Sequence, residues 1–477
     1  MKRLIISILF MIAFVATSCA AESGRANPRT MTFPPLHFDI PKAERVVLDC
    51  GMPVYLLRDP ELPIINITAM VRTGSVYEPA ALSGLAALTG SVMRSGGAGG
   101  LPPEKMNDEL EYMASAVESS IGTDMGTVSM TCLTKNFSPT LKIFSDVLLH
   151  PDFSAQRVEI ARKQLIEGLR RQNDDPKEIA DREIIKAIYA GHPLGVVPTL
   201  ESARAITRQE MIDFHHRFFR ADNTILAVSG HFDRPALLRQ LNKIFGQATA
   251  ASRLALPVIP QPAQTYKAEV LYGKKDVNQS VVRMGHLGIT KDSPDIYAIR
   301  VMDYILGGSF TSRLTIEIRT NQGLAYNVDS RFDIGRRFTG TFIAGTETKA
   351  ESTGKAITLM QSIIAGMTKK PVTDLELNAA KDYIINSFMF GFTSPASIVT
   401  QRARLEFYGY PPDYLENYRD NISRVTKADV LAAARRHLKP EAFKLVVVGD
   451  AAKFDEPLTS FGSVHQLDLS QKPDNGR

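Results

Sequence analysis

Hydrophobic positions along this chain change period in a regular order. Residues 54–57, 64–71 and 127–133 are short β-branched or apolar runs of strand length. Residues 82–93, 103–113, 137–149, 155–171, 179–189 and 208–218 instead space apolar side chains three and four apart, the stripe of a helix buried on one face. The order is strand, strand, helix, strand, several helices and a last strand. It lacks the strict alternation of parallel α/β folds and predicts an α+β fold class, with helices packed on a mostly antiparallel sheet.

The pattern occurs twice. ITRQEMIDFHHRFFRADNTILAVSG (206–230) aligns without gaps on VTKADVLAAARRHLKPEAFKLVVVG (425–449), an offset of 219. Thr207 falls on Thr426, Glu210 on Asp429 and Gly230 on Gly449, so each copy reads as a capped amphipathic helix, a basic turn and a β-branched strand. Gly126, Thr127, Thr134 and Lys135 fall on Gly340, Thr341, Thr348 and Lys349 at 214, and Val71 and Gly74 on Val282 and Gly285 at 211. A slowly growing offset marks a duplicated domain with small loop insertions, not a solenoid. Between the copies, 248–263 is Ala-rich and carries Pro257, Pro260 and Pro262, which favour an extended linker. The expected organisation is two homologous α+β domains, 38–246 and 266–462.

Composition adds an address and removes some functions. The 477 residues are 44% hydrophobic and 22% charged, ordinary globular material. A formal charge of +5, two of it from Lys2 and Arg3, is too mild to argue for nucleic acid, and no basic run interleaves with aromatics. Lys2 and Arg3 precede the apolar run 4–16 and the small residues Thr17, Ser18, Cys19, Ala20 and Ala21. The run is too short to span a bilayer, which takes about 20 residues, and reads as an export signal over 1–19. Two processing readings stand: a lipobox with Cys19 lipidated, or cleavage after Ala20 or Ala21. Either takes the chain out of the cytoplasm, most simply into a Gram-negative periplasm, with a membrane-anchored lipoprotein under the first. Cys50 and Cys132 are then a disulfide or two buried thiols.

Residues 307–332, GGSFTSRLTIEIRTNQGLAYNVDSRF, read as a helix, a glycine stop and a strand. Ser309 or Thr311 caps the start, Leu314, Ile316 and Ile318 supply apolar turns, and Gly323 provides a left-handed exit. Tyr326, Val328 and Ser330 alternate on one strand face. By local pattern alone, Arg319 caps carbonyls in the last helical turn and Tyr326 is an ordinary strand aromatic. The wording SRL…IR…GLAY resembles the C-terminal half of the insulinase/pitrilysin zinc peptidases, the family that includes mitochondrial processing peptidase. The resemblance covers nearly the whole mature chain. It implies two similar α+β halves facing each other around a chamber. It also implies that Arg319 and Tyr326, seven apart, hold the substrate backbone near the zinc, where fixed donors can stabilise charge on a scissile carbonyl.

That family's metal motif is His-x-x-Glu-His on an early helix, after GLAH. Both imidazoles then share a face one turn apart, with the Glu beside them as general base. Here the matching stretch is SGLAALTGSVM (83–93), and the motif positions hold Ala87, Gly90 and Ser91. The small face they form reads as close helix packing or as the floor of a degenerate cleft. Glu167, in LIEGLRRQNDDP, matches the third ligand but stands alone. No two histidines are four apart, and His215 and His216 are adjacent, so they cannot chelate together. There is no Gly-x-Ser-x-Gly elbow, and the glycine run 96–100 has no lysine of a phosphate cradle. The resemblance therefore implies a non-catalytic subunit of an exported zinc metallopeptidase, with no catalytic residues or cofactor of its own. Its zinc belongs to a homologous His-x-x-Glu-His partner in a heterodimer, and peptide is the substrate. The alternative is a pseudo-peptidase that acts as a peptide-binding or scaffold protein in the cell envelope.

Overall fold

Alternate residues of β3 (Ile64–Val71) go to different cores. Ile65, Ile67, Ala69 and Val71 enter one, Met70 another. The same split recurs in β6 (Thr224–Gly230), with Leu226 and Val228 on one face and Ile225 and Ala227 on the other. Both faces of the sheet are covered, which accounts for the nearly continuous apolar runs in its central strands. The computed structural model describes residues 38–246, 254–264 and 266–470. The export signal 1–19 with Cys19, and residues 248–253 of the proline-bearing segment, lie outside the described residues.

The first sheet contains β1 (Glu44–Val47), β2 (Pro53–Arg58), β3, β4 (Ala116–Ile121), β5 (Gly126–Leu133) and β6, in the order β1-β2-β6-β3-β5-β4. The second contains β7 (Glu269–Lys274), β8 (Gln279–Leu287), β10 (Ala325–Phe332), β12 (Thr341–Lys349), β13 (Lys444–Gly449) and β14 (Val464–Gln466), in the order β10-β12-β8-β13-β7-β14. A small parallel ribbon pairs β9 (Ile289–Thr290) with β11 (Ile334–Gly335). Read from opposite ends, five of the six strands of each sheet correspond one to one: β2, β6, β3, β5 and β4 match β7, β13, β8, β12 and β10. Only the extra edge strand differs: β1 runs antiparallel to β2, β14 parallel to β7. Most neighbours are antiparallel, with β2–β6 and β7–β13 parallel. The repeated Thr207/Glu210 and Thr426/Asp429 positions form the same reciprocal capping box in both copies.

The helices of the first half are α1 (Leu85–Ser95), α2 (Pro103–Tyr112), α3 (Phe137–Leu149), α4 (Ala155–Arg171), α5 (Pro176–Ile188), α6 (Leu200–Ala205), α7 (Arg208–Phe218) and α8 (Arg234–Phe245). Those of the second are α9 (Ile296–Leu306), α10 (Thr353–Lys369), α11 (Asp374–Ser387), α12 (Pro395–Phe407), α13 (Tyr414–Arg424) and α14 (Lys427–His437). One helix of each half crosses to the other. From α5, Ile179, Ala180, Ile184 and Ile188 pack on Val281, Val446 and Val448 of the second sheet. From α12, Val399, Ala403 and Phe407 pack on Met70, Ile225 and Ala227 of the first. The exchange explains why residues from Ile40 onward form one compact body. Polar contacts add to it: the Glu406 carboxylate accepts from Arg45 Nε at 2.6 Å and Tyr55 OH at 2.6 Å, and Tyr189 OH donates to Thr339 O at 2.8 Å. The described part of the connecting segment has no helix or strand and is fixed by Pro260 O, 2.9 Å from His192 Nε2, and by Gln261, which accepts from Thr339 N. Cys50 and Cys132 are both free thiols, and burial pushes Cys132 in β5 up to about 11.

Candidate functional site

Helix α1 carries the three positions of the degenerate metal motif. Its start is set by a carboxylate from outside the helix. Glu78 accepts from Gly84 N at 2.9 Å and Ala86 N at 2.8 Å, filling donors that a helix N-terminus leaves open. Desolvation holds that carboxyl above its ordinary range despite these two bonds. Gly84 sits at φ +102°, so the helix begins at Leu85 and not at residue 82 as the apolar spacing suggests. Ala87 and Ser91 are exposed one turn apart, and Gly90 is buried against β4. A Cβ at Gly90 would lie 2.3 Å from Ile121 N and 2.8 Å from Ser120 C. Ser119 Oγ donates to Gly90 O at 2.6 Å, which clamps strand to helix. The small face is therefore close packing at Gly90. Glu167 lies on the exposed side of α4 and is paired with Arg170 of the same helix.

The histidines do other work. His215 is buried, stacks on Phe219 and has Nε2 2.9 Å from Leu148 O; burial pushes it down to about 4. His216 beside it is exposed. Among the described residues no group of three or more His, Cys, Asp or Glu could hold a metal ion.

The second half holds Arg319 and Tyr326. Residues 313–321 are helical, and Thr315–Asn321 of them is a π-helix, a rare form often found at functional sites. The cap differs from expectation: Ser312 Oγ accepts from Thr315 N at 3.3 Å, while Ser309 Oγ donates to Tyr304 O and meets Thr311 Oγ1. Gly323 has φ +61°, the left-handed exit that the sequence suggests. Arg319 does not cap carbonyls. Its guanidinium lies 5.5 Å from the Phe310 ring centroid and 4.9 Å from that of Tyr326, a cation held between two aromatic faces. Among the described residues it makes no ion pair. Tyr326 is 85% exposed and Phe310 82%. Phe310 and Arg319 line a cavity of about 450 Å³, bounded also by Gly307, Gly308, Asn327 and Asp329. Tyr326 is on β10, an edge strand of the second sheet. Helix α1 packs on β4, α4 and α7 in its own half, whereas the Arg319 helix packs on β10 and α10 in the other. The fold keeps the two parts of the expected site on separate halves.

Comparison with known proteins agrees with this architecture. Residues 54–198 match the family described as insulinase (peptidase family M16), and residues 205–384 match its companion, the peptidase M16 inactive domain. The chain belongs to the M16 insulinase-like peptidase family. A crystal structure of a peptidase M16 inactive domain from Pseudomonas fluorescens is similar, with a TM-score of 0.77 and 28% identity over 86% of this chain and 98% of that one. A non-peptidase homolog, YmxG, of Helicobacter pylori is 22% identical over 348 residues, covering 72% of this chain and 79% of its own. An uncharacterized zinc protease of Bacillus subtilis, also called YmxG, is 21% identical and covers 85% of this chain and 98% of its own.

Zinc is the metal this M16 family implies, and the residues present do not fit it. Ala87 and Gly90 offer no donor atom, and a serine hydroxyl is a poor zinc ligand and no general base. The backbone of β4 also occupies the space that any side chain at position 90 would need. The M16 metal half of this chain is a pseudo-site. Four residues around the two sites were not picked out in the sequence. Glu78 caps α1 from outside the helix, so no pattern within the helix points to it. Phe310 flanks Arg319 only after the 307–312 loop has folded. Ser312-x-x-Thr315 carried a readable capping spacing that Ser309 and Thr311 obscured.

Proposed function

We propose that this chain is a non-catalytic subunit of an exported M16 zinc peptidase. It contributes Arg319 and Tyr326 to peptide bound in a site whose zinc and general base come from a homologous His-x-x-Glu-His chain. The observation that carries the reading is the asymmetry between the two halves. The metal half is sterically closed at Gly90, while the other half presents, between two exposed rings, a guanidinium with no carboxylate partner among the described residues. Such a guanidinium and a phenol can orient a scissile carbonyl and stabilise the charge that develops on its oxygen. They cannot make the nucleophile, so the reading requires a second chain.

The test is reconstitution. A His-x-x-Glu-His chain from the same organism should copurify with this one and gain peptidase activity when mixed with it. Arg319→Ala should lower turnover of the mixture by roughly two orders of magnitude, the usual cost of losing one charge-stabilising donor, with assembly unchanged. Tyr326→Phe should cost less. Full turnover in both variants would sink the catalytic reading. It would favour a scaffold or peptide holder that uses the open edge of β10, where an extended peptide can add as a further strand. Export and lipid attachment at Cys19 belong to the same proposal. Intact mass of the mature protein should show a chain that begins at a diacylated Cys19, and a chain that still carries residues 1–18 would overturn export.

A further inference from the structure

We infer that the second half selects peptides by a bulky apolar side chain, received in a pocket directly behind the Arg319 cavity. The inference rests on the proposed peptide-binding role of Arg319 and Tyr326.

The pocket encloses about 680 Å³ between α9, α10, α11 and the helix that carries Arg319. Its walls are Ile305, Ile316, Ile363 and Ala379, with Leu375 on the rim. It shares Tyr304, Ser309 and Thr311 with the Arg319 cavity, so the two spaces meet at those side chains. At the junction Tyr304 packs on Tyr383, with centroids 4.7 Å apart. The volume lies in the range of small-molecule pockets and leaves ample room for a large aliphatic or aromatic side chain and the residues beside it.

Two further observations point to an occupant. Gly366 lines the pocket from the interior of α10, and a Cβ built there meets nothing within 4 Å. Glycine weakens a helix interior relative to alanine, and no neighbour of α10 calls for it at this position. What it leaves is open space in the pocket. Two of the three charged residues around the pocket also pair with each other. Arg313 donates to both oxygens of Glu376, at 2.7 and 2.9 Å, and Glu317 accepts from Asn321 and Gln322. Glu317 keeps its negative charge, which disfavours an acidic side chain here, while Leu375 on the rim is 81% exposed. An extended peptide whose carbonyl lies at Arg319 can turn a nearby side chain past Tyr304 into this space.

Fluorescence anisotropy with the full chain tests the inference. The probe is a fluorescein-labelled Ser/Gly host peptide carrying a single Leu moved one position at a time, compared with Ala at the same positions. At one position Leu should bind at least about tenfold tighter than Ala. Gly366→Leu fills the pocket from inside and should erase that preference, leaving the Ala peptide and the thermal midpoint unaffected or the midpoint raised. Ala379→Phe should do the same from the opposite wall, which covers a failure of the first variant to fold. Arg319→Ala should weaken the Leu and Ala peptides by the same factor. The pocket inference is overturned if no position prefers Leu, or if the preference survives both filling variants. If Arg319→Ala changes neither peptide while filling removes the preference, the Arg319 reading fails and the pocket stands. Absence of binding by every peptide overturns both.

Discussion

A Cβ at position 90 would lie 2.3 Å from the backbone nitrogen of Ile121, so glycine there is a packing requirement and not merely a lost glutamate. Gly90→Ala should destabilise the chain by about 1–3 kcal/mol, the usual cost of forcing atoms into a filled core, seen as a lower urea midpoint at unchanged m-value. The triple change Ala87→His, Gly90→Glu, Ser91→His should leave the protein less stable and without stoichiometric zinc by elemental analysis. A stable, zinc-loaded triple variant would show that β4 yields easily and that the site is only vacant of ligands. Asp303 in α9 makes a second residue-scale point. Its carboxylate accepts from Phe332 N at 2.9 Å. Desolvation, aided by Asp333 and opposed by that bond, Arg300 and Arg331, pushes it up to about 7. A carboxyl raised on folding gives stability that is complete below the unfolded value of 3.8 and is lost as pH rises through about 7. The difference amounts to at most about 4 kcal/mol between pH 4 and 7, less because the residue keeps some solvent access. Asp303→Asn should flatten this part of the urea-stability profile; an unchanged slope would mean the carboxyl titrates normally.

At the scale of elements, the periodicity of apolar residues located most helices and strands of the first half because their burial is one-sided or complete along the chain. It failed where the deciding contact came from elsewhere. Residues 82–84 carry a helical apolar pattern, yet α1 starts at Leu85 because Glu78 and the positive φ of Gly84 set its end. The π-helix over Thr315–Asn321 has no period that spacing alone distinguishes from an α-helix. The crossing helices were legible as helices and not as crossing. Ile184→Ala in α5 should cost about 2–5 kcal/mol. Its local effect is the sharper test. Amide protection should fall in β8 and β13 of the second sheet, which α5 covers, more than in β3 of the first. Equal loss in both sheets would show that the halves unfold as one unit before either sheet opens.

At the scale of the molecule, duplication in the sequence corresponds to two sheets that share the order of five strands, held as one body by exchanged helices. That exchange joins the two halves through apolar packing on both sheets. The fold keeps α1 and the Arg319 helix in different halves. Under the proposed function, a complete peptidase centre draws its metal half from a second chain. The sequence by itself determined the fold class, the duplication, the absence of metal donors at Ala87, Gly90 and Ser91, and the Arg319–Tyr326 pair. The fold class and the duplication follow from residue type and spacing, which local chain geometry converts directly into faces and elements; the motif positions and the pair follow from the family resemblance. Only the tertiary structure decided that Gly90 is closed by Ile121, that Arg319 lies between Phe310 and Tyr326, and that α5 and α12 cover each other's sheets. Each of these is a contact between segments distant in the chain or across a loop, and no local period records what a side chain will meet once the backbone has folded back on itself.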